Sequence, residues 1–222
     1  MPFADAAALQ ERRRDEIREG RAPETLFLLE HAPVITLGKS AQEANVLLSV
    51  EALGARGISL HRASRGGDVT YHGPGQLVGY PLVHLRGGVR AYVESMARAL
   101  IEVLAELGVT ARYRREAPGL WVDADVEGGE AKICAFGVNI HHRITMHGFA
   151  LNLNPDLAAF RLIIPCGIAG CNVTSVAALR PGVPAPTPAD LADRVAASLG
   201  HHLGVPFQRA DALQNCNAPP AQ

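Results

Sequence analysis

Apolar positions along the chain change period repeatedly, and each change marks an element. Thr25-Leu-Phe-Leu-Leu29 and Val34-Ile-Thr-Leu37 are short β-prone runs separated by Pro33, which predicts two strands with a tight connection, and Ile58 to His61 predicts a third. From Gln76 to Leu85 the β-branched and apolar content rises again, with Pro81 arguing for an edge strand or a bulge. Between Val89 and Leu107 the residues Val89, Tyr92, Val93, Met96, Leu100, Val103, Leu104 and Leu107 recur at helical spacing, and Gly108 supplies the stop.

Gly119 to Val122, Lys132 to Ile140 and Ile144 to Leu153 then read as strands containing a hairpin, with an exposed turn at Gly128-Gly129. The last helix starts at Thr187, with Pro188 in its first position and Asp190 three residues after the cap, and is expected to end near Leu199 before Gly200. Helices around a strand-rich middle, with no repeats and no linker, predict an α+β fold. The expected architecture is a single domain over residues 1–214, built on a mixed, mainly antiparallel sheet with flanking helices, followed by a frayed tail at 215–222.

Composition narrows the class. A chain of 222 residues with net charge -1 and 48% hydrophobic residues describes an ordinary soluble domain that needs no disulfide or metal staple. The charge balance argues against nucleic-acid binding, although Arg12 to Arg14 and Arg112, Arg114 and Arg115 form local basic runs. No apolar run approaches the roughly 20 residues that cross a bilayer, and Met1 to Glu11 lacks a basic segment followed by an apolar core, so a cytoplasmic location is expected. Cys134, Cys166, Cys171 and Cys216 then read as reduced thiols. Of 21 Lys plus Arg only Lys39 and Lys132 are lysine, which makes each a candidate for work that Arg cannot do; Lys39, in a polar stretch, reads as merely exposed.

Three segments concentrate chemistry. Arg65-Gly-Gly-Asp-Val-Thr-Tyr-His-Gly-Pro-Gly-Gln76 is too rich in glycine for a good helix or strand; taken alone, it fits a ligand-binding loop or a plain turn equally well. Cys166 lies between Pro165 and Gly167 at the end of an apolar run and before a glycine-rich turn, which suits a rigidly held nucleophile with backbone N–H groups nearby. The opposing reading, a buried small hydrophobe, is assigned to Cys134, Cys171 and Cys216. Lys132 opens a strand-like run, from which its ammonium faces the middle of the fold and lowers the pKa of a thiol, or else sits at a surface strand end. His141, His142 and His147 lie between Cys134 and Cys166, but the spacings make no zinc knuckle and no metal is expected.

Taken in order, Arg65 to Gln76, Lys132-Ile-Cys-Ala-Phe-Gly137, His147-Gly-Phe-Ala-Leu-Asn152 and Pro165-Cys-Gly-Ile168, with His31-Ala-Pro-Val-Ile-Thr-Leu-Gly38 upstream, resemble the octanoyltransferase family, the lipoate-protein ligase B type. The resemblance implies a fold like the catalytic domain of biotin and lipoate protein ligases. It also implies transfer of an octanoyl group from octanoyl-acyl carrier protein to a lysine of lipoyl domains, those of 2-oxoacid dehydrogenase complexes and the glycine cleavage H protein. No cofactor, nucleic acid or membrane is expected to take part. It places the acyl-carrying nucleophile at Cys166 and the lysine that lowers its pKa at Lys132. Substrate-binding positions fall on Arg65, Gly66, Gly67, Asp68, Val69, Thr70, Tyr71, His72, Ala135, Phe136, Gly137, Gly148, Phe149 and Ala150. Two departures stand out: Asp123 to Ala131 is longer than the family's connection, and Cys134 brings an extra thiol next to the motif. An ATP-dependent lipoate or biotin ligase on the same fold, and a non-catalytic fatty-acyl-binding module, are the alternatives.

Overall fold

A computed structural model describes residues 1–127, 129–165 and 171–208. Its elements run α1 (Phe3–Arg18), β1 (Thr25–Leu29), β2 (Val34–Leu37), α2 (Val50–Gly54), β3 (Ser59–Arg62), β4 (Val69–His72), β5 (Gln76–Leu82) and α3 (Val89–Glu106). They continue with β6 (Arg112–Arg114), β7 (Gly119–Asp123), β8 (Glu130–His141), β9 (Ile144–Asn152), α4 (Val176–Leu179) and α5 (Pro188–Leu203).

Period-two alternation sorts the strands into layers. An antiparallel sheet of order β1-β5-β9-β8-β7-β6 carries α3 and α5 on one face, where Leu77, Phe149 and Leu151 meet Met96, Leu100, Leu104, Val195 and Leu199. The intervening residues Val78, Tyr80 and Ala150 point the other way and meet Ala6 and Ile17 of α1. A second sheet, β3-β2-β4, pairs β2 parallel with β3 and antiparallel with β4, and has its own core around Ile35, Leu53 and Tyr71. The fold is thus α+β with a mainly antiparallel sheet, as the sequence predicts.

Several expectations change in the structure. Thr25–Leu29 and Val34–Leu37 are strands, but they enter different sheets and do not pair. β5 is interior, between β1 and β9; Pro81 is accommodated because the β5–β9 ladder stops at Gly79, while Tyr92 Oη and Thr145 Oγ1 donate to the Pro81 carbonyl. Within the glycine-rich segment, residues Val69–His72 form strand β4 against β2. Helix α5 has the expected capping box of Thr187 and Asp190 but continues through Gly200 to Leu203 and stops at Gly204, whose φ is +66°. Gly200 is kept in the helix by a close approach: a Cβ there would lie 2.8 Å from the Val205 carbonyl oxygen. Helix α1 has no counterpart in the apolar periodicity because charged residues interrupt its apolar face: Phe3, Ala6, Leu9 and Ile17 are buried, and the stems of Arg13 and Arg14 are largely covered beside them. The tail at 215–222 and Cys216 lie outside the described residues. No described helix is long and apolar enough to cross a membrane.

Candidate active site

Every substrate-binding candidate except Tyr71 lines one cleft, between the α1-side face of the large sheet and the small sheet. Residues 65–70 and His72 form one wall, Ala135–Gly137 of β8 and Gly148–Ala150 of β9 the other. Gly137 permits this approach, since a Cβ there would lie 2.9 Å from Arg65 Cδ and 3.3 Å from the Gly66 carbonyl oxygen. Gly148 answers to crowding within the sheet, where a Cβ would lie 2.3 Å from the carbonyl oxygen of Gly79 on neighbouring β5. Gly66 N–H donates to the Val138 carbonyl at 2.9 Å, stitching the walls together. Tyr71 points away, into the small sheet's core, edge-on to Phe160 at 5.4 Å, because alternation along β4 sends it to the face opposite Thr70 and His72.

Arg65 is buried, and its guanidinium donates to the Thr36 carbonyl at 2.6 Å and the Thr36 hydroxyl at 2.8 Å. Asp68 accepts from Gln42 N–H at 3.2 Å and Asn45 Nδ2 at 2.5 Å, pinning the loop before β4. Phe3, Tyr80 and His147 complete the lining and were not among the sequence candidates. Alternation of Val78 and Tyr80 in β5 was a signal for Tyr80; Phe3 carried none. His147 has φ +57°, a left-handed turn within β9, and its N–H is received by Gln10 Oε1 at 2.8 Å. That turn brings the ring beside Phe3 and to 2.9 Å from Ser64 Oγ.

Histidines around the cleft are held neutral. Burial pushes His147 down to about 4, with Arg65 and Lys39 acting in the same direction. Burial likewise takes His31 to about 4 and His72 to about 3. His31 Nε2 lies 2.7 Å from Tyr80 Oη, and His72 Nδ1 lies 2.7 Å from Gln76 Oε1. Lys39 is exposed, as expected, and donates to Asn139 Oδ1 at 3.0 Å.

Lys132 occupies a deeper cavity with Thr70, Gln76, Ala135, Ala150, Asn152 and Pro165. Thr70, Ala135 and Ala150 line both spaces, so the two adjoin. A β-bulge decides where the lysine points. β7 pairs Leu120 with Cys134 but Trp121 with Lys132, leaving Ile133 as the extra residue. Ile133 and Cys134 consequently both face the α3–α5 core, and Lys132 turns to the cleft side with Ala135. The lysine is buried at 4% exposure and does not sit at a surface strand end.

Cys134 is fully buried on the opposite face, and burial pushes its thiol up, which answers the suggestion of an extra thiol at the site. Cys171 is half-buried rather than a core residue, because it sits in an irregular stretch before the 172–174 segment. Cys166 lies outside the described residues, directly after Pro165. Asp123 and Glu130 pair across the lengthened connection, which extends the β7–β8 hairpin. His141 and His142 are exposed at the hairpin turn, away from buried His147. The basic run near β6 is compensated locally: Arg112 pairs with Asp123 at 2.7 Å and Glu130 at 2.8 Å, Arg114 with Glu130, and Arg115 with Glu94 at 2.9 Å.

The chain is similar to known proteins in sequence and in fold. Residues 2–200 match the lipoyl protein ligase A/B catalytic domain. An octanoyltransferase of Porphyromonas gingivalis is 45% identical over 177 residues, 78% of this chain, and this chain spans only 35% of that relative's length. An octanoyltransferase of Pelobacter propionicus is 45% identical over 180 residues, covering 79% of both chains. A solved structure of a bipartite lipoate protein ligase from Thermoplasma acidophilum, with its E2 lipoyl domain, superimposes with a TM-score of 0.70 at 16% identity over 96% of this chain and 85% of that one.

Proposed function

Because the chain belongs to the octanoyltransferase family within the lipoyl protein ligase A/B catalytic domains, we propose that it moves an octanoyl group from octanoyl-acyl carrier protein to a lysine of lipoyl domains through a thioester on Cys166. The acceptors would be the lipoyl domains of 2-oxoacid dehydrogenase complexes and the glycine cleavage H protein. One observation carries the reading: Lys132 and Pro165, the chain neighbour of Cys166, line one cavity that adjoins the glycine-walled cleft.

In the first step the Cys166 thiolate attacks the donor's thioester carbonyl. A new carbon–sulfur bond forms, the donor's carbon–sulfur bond breaks, and the donor leaves as a thiol after taking up a proton. The exchange is nearly isoenergetic and needs neither ATP nor metal. In the second step a neutral acceptor amine attacks the acyl-enzyme, an amide forms, and the Cys166 sulfur leaves. Each step moves a proton, and the buried amine of Lys132 is suited to hold it, since an Arg stays charged. The cleft, lined by Phe3, Gly66, Gly137 and Ala150, suits an unbranched acyl chain.

Intact-mass analysis after incubation with octanoyl-acyl carrier protein tests the reading. One octanoyl increment on the native chain and none on Cys166→Ala is the expected result. A strict ATP requirement with activity surviving Cys166→Ala would replace it with a ligase, and stoichiometric binding without transfer would replace it with an acyl-binding module.

A further inference from the structure

Lys132 stands where β8 has parted from β9. The β8–β9 ladder begins only at Cys134, so β9 does not hold Lys132 by direct pairing. Its backbone is gripped instead by residues 172–174. Lys132 N–H donates to the Asn172 carbonyl at 2.8 Å, and Thr174 N–H donates to the Lys132 carbonyl at 3.0 Å.

That segment is docked from its other side by a buried chain of amides. Asn152 Nδ2 donates to the Thr174 carbonyl at 3.0 Å, which leaves Asn152 Oδ1 to accept from Gln76 Nε2 at 2.8 Å. Gln76 Oε1 then accepts from His72 Nδ1 at 2.7 Å. Each link fixes the orientation of the next, because a backbone carbonyl can only accept and an amide flipped by half a turn would face oxygen against oxygen. Gln76 and Asn152 are 2% and 4% exposed, and both line the cavity that Lys132 enters.

We propose that Gln76 and Asn152 are positioning residues for Lys132: through the Thr174 carbonyl they fix the 172–174 segment, and with it the place of the lysine in the cavity. This rests on the reading that Lys132 serves thiol chemistry at Cys166. Neither amide is required to touch the acyl group. Their effect is on where the ammonium sits relative to the sulfur, and a displacement near 1 Å at such a site costs on the order of 100-fold in rate.

The test compares the full chain with Asn152→Ala and with the nearly isosteric Gln76→Met, following acyl-enzyme formation from octanoyl-acyl carrier protein against pH. Asn152→Ala is expected to acylate about 10- to 100-fold more slowly, with the acid limb of its profile displaced to higher pH, while octanoate binding is unchanged. Gln76→Met should move the same limb in the same direction by less, and the double variant should be no slower than Asn152→Ala, since both act through one chain. Should Asn152→Ala fail to fold, Gln76→Met alone decides. A folded variant whose rate falls with an unmoved pH profile overturns the proposal and leaves the thioester reading standing. Absence of a Cys166-dependent adduct on the native chain overturns both.

Discussion

Lys132 Nζ lies 4.9 Å from the centre of the Trp121 ring, and a single extra residue, Ile133, is what puts it there. The indole is itself fixed by its Nε1–H donating to the Ala117 carbonyl at 3.0 Å, so the cation rests on an immobile π-face. Gly119 leaves the space the lysine stem passes through.

Lys132→Arg should therefore be almost as damaging as Lys132→Ala. The guanidinium does not release a proton, and its planar head does not match a site in which an ammonium lies 4.9 Å from the Trp121 ring centre. Transfer rates for the three proteins, measured onto a lipoyl domain, check this. A Lys132→Arg enzyme retaining most of the native rate would reduce the lysine's role to simple electrostatics.

Gly119→Ala should impair both stability and transfer. The added methyl would stand 2.5 Å from the Cys134 carbonyl oxygen and 3.0 Å from Lys132 Cε. Overpacking of this kind costs roughly 1–3 kcal/mol, readable as a lowered denaturation midpoint. An unchanged midpoint together with an unchanged rate would show that β7 yields at this point.

The cysteines should separate cleanly. Cys171→Ala is expected to leave acyl-enzyme formation nearly intact. Cys134→Ala should destabilise by roughly 1–2 kcal/mol through lost burial without abolishing the adduct. In the folded protein Cys134 should resist alkylation at neutral pH, because burial holds its thiol up. Mapping the octanoyl thioester to Cys134 or Cys171 would contradict the assignment to Cys166.

Acid should weaken the fold well before carboxylates protonate. His31, His72 and His147 have folded values of about 4, about 3 and about 4, below the ordinary 6.5. Between those values and 6.5 the unfolded chain binds more protons than the folded one, so stability rises with pH across the window. The contribution is complete above about 6.5 and is lost progressively as pH falls toward 4. Thermal melts from pH 7.5 downward should show a falling midpoint. His147→Asn, which keeps a residue tolerant of positive φ, should make the fall shallower. A flat midpoint in the native chain would mean these rings accept protons in place.

How much of this was legible in the sequence depends on whether the signal was local. Strand and helix periods are local, so β1, β2, α3, β8 and β9 followed from the spacing of apolar residues, and the capping box of α5 followed from Thr187, Pro188 and Asp190. The ordered motifs located the two walls of the cleft, because Gly137, crowded by Arg65, and Gly148, crowded by the Gly79 carbonyl, leave no room for a Cβ. Other features arose only when distant segments met. The exit of β1 and β2 into separate sheets, the charge-rich helix α1 whose Phe3 lines the cleft, and the turning of Tyr71 away from it depend on partners far along the chain. The same holds for Gln76 and Asn152, 76 residues apart, which ended quoted motifs without a role until folding joined their amides at 2.8 Å. Alternation would have sent Lys132 to the core face beside Cys134. The bulge at Ile133, visible only in the pairing of β7 with β8, reversed it, because one inserted residue exchanges the two faces of a strand.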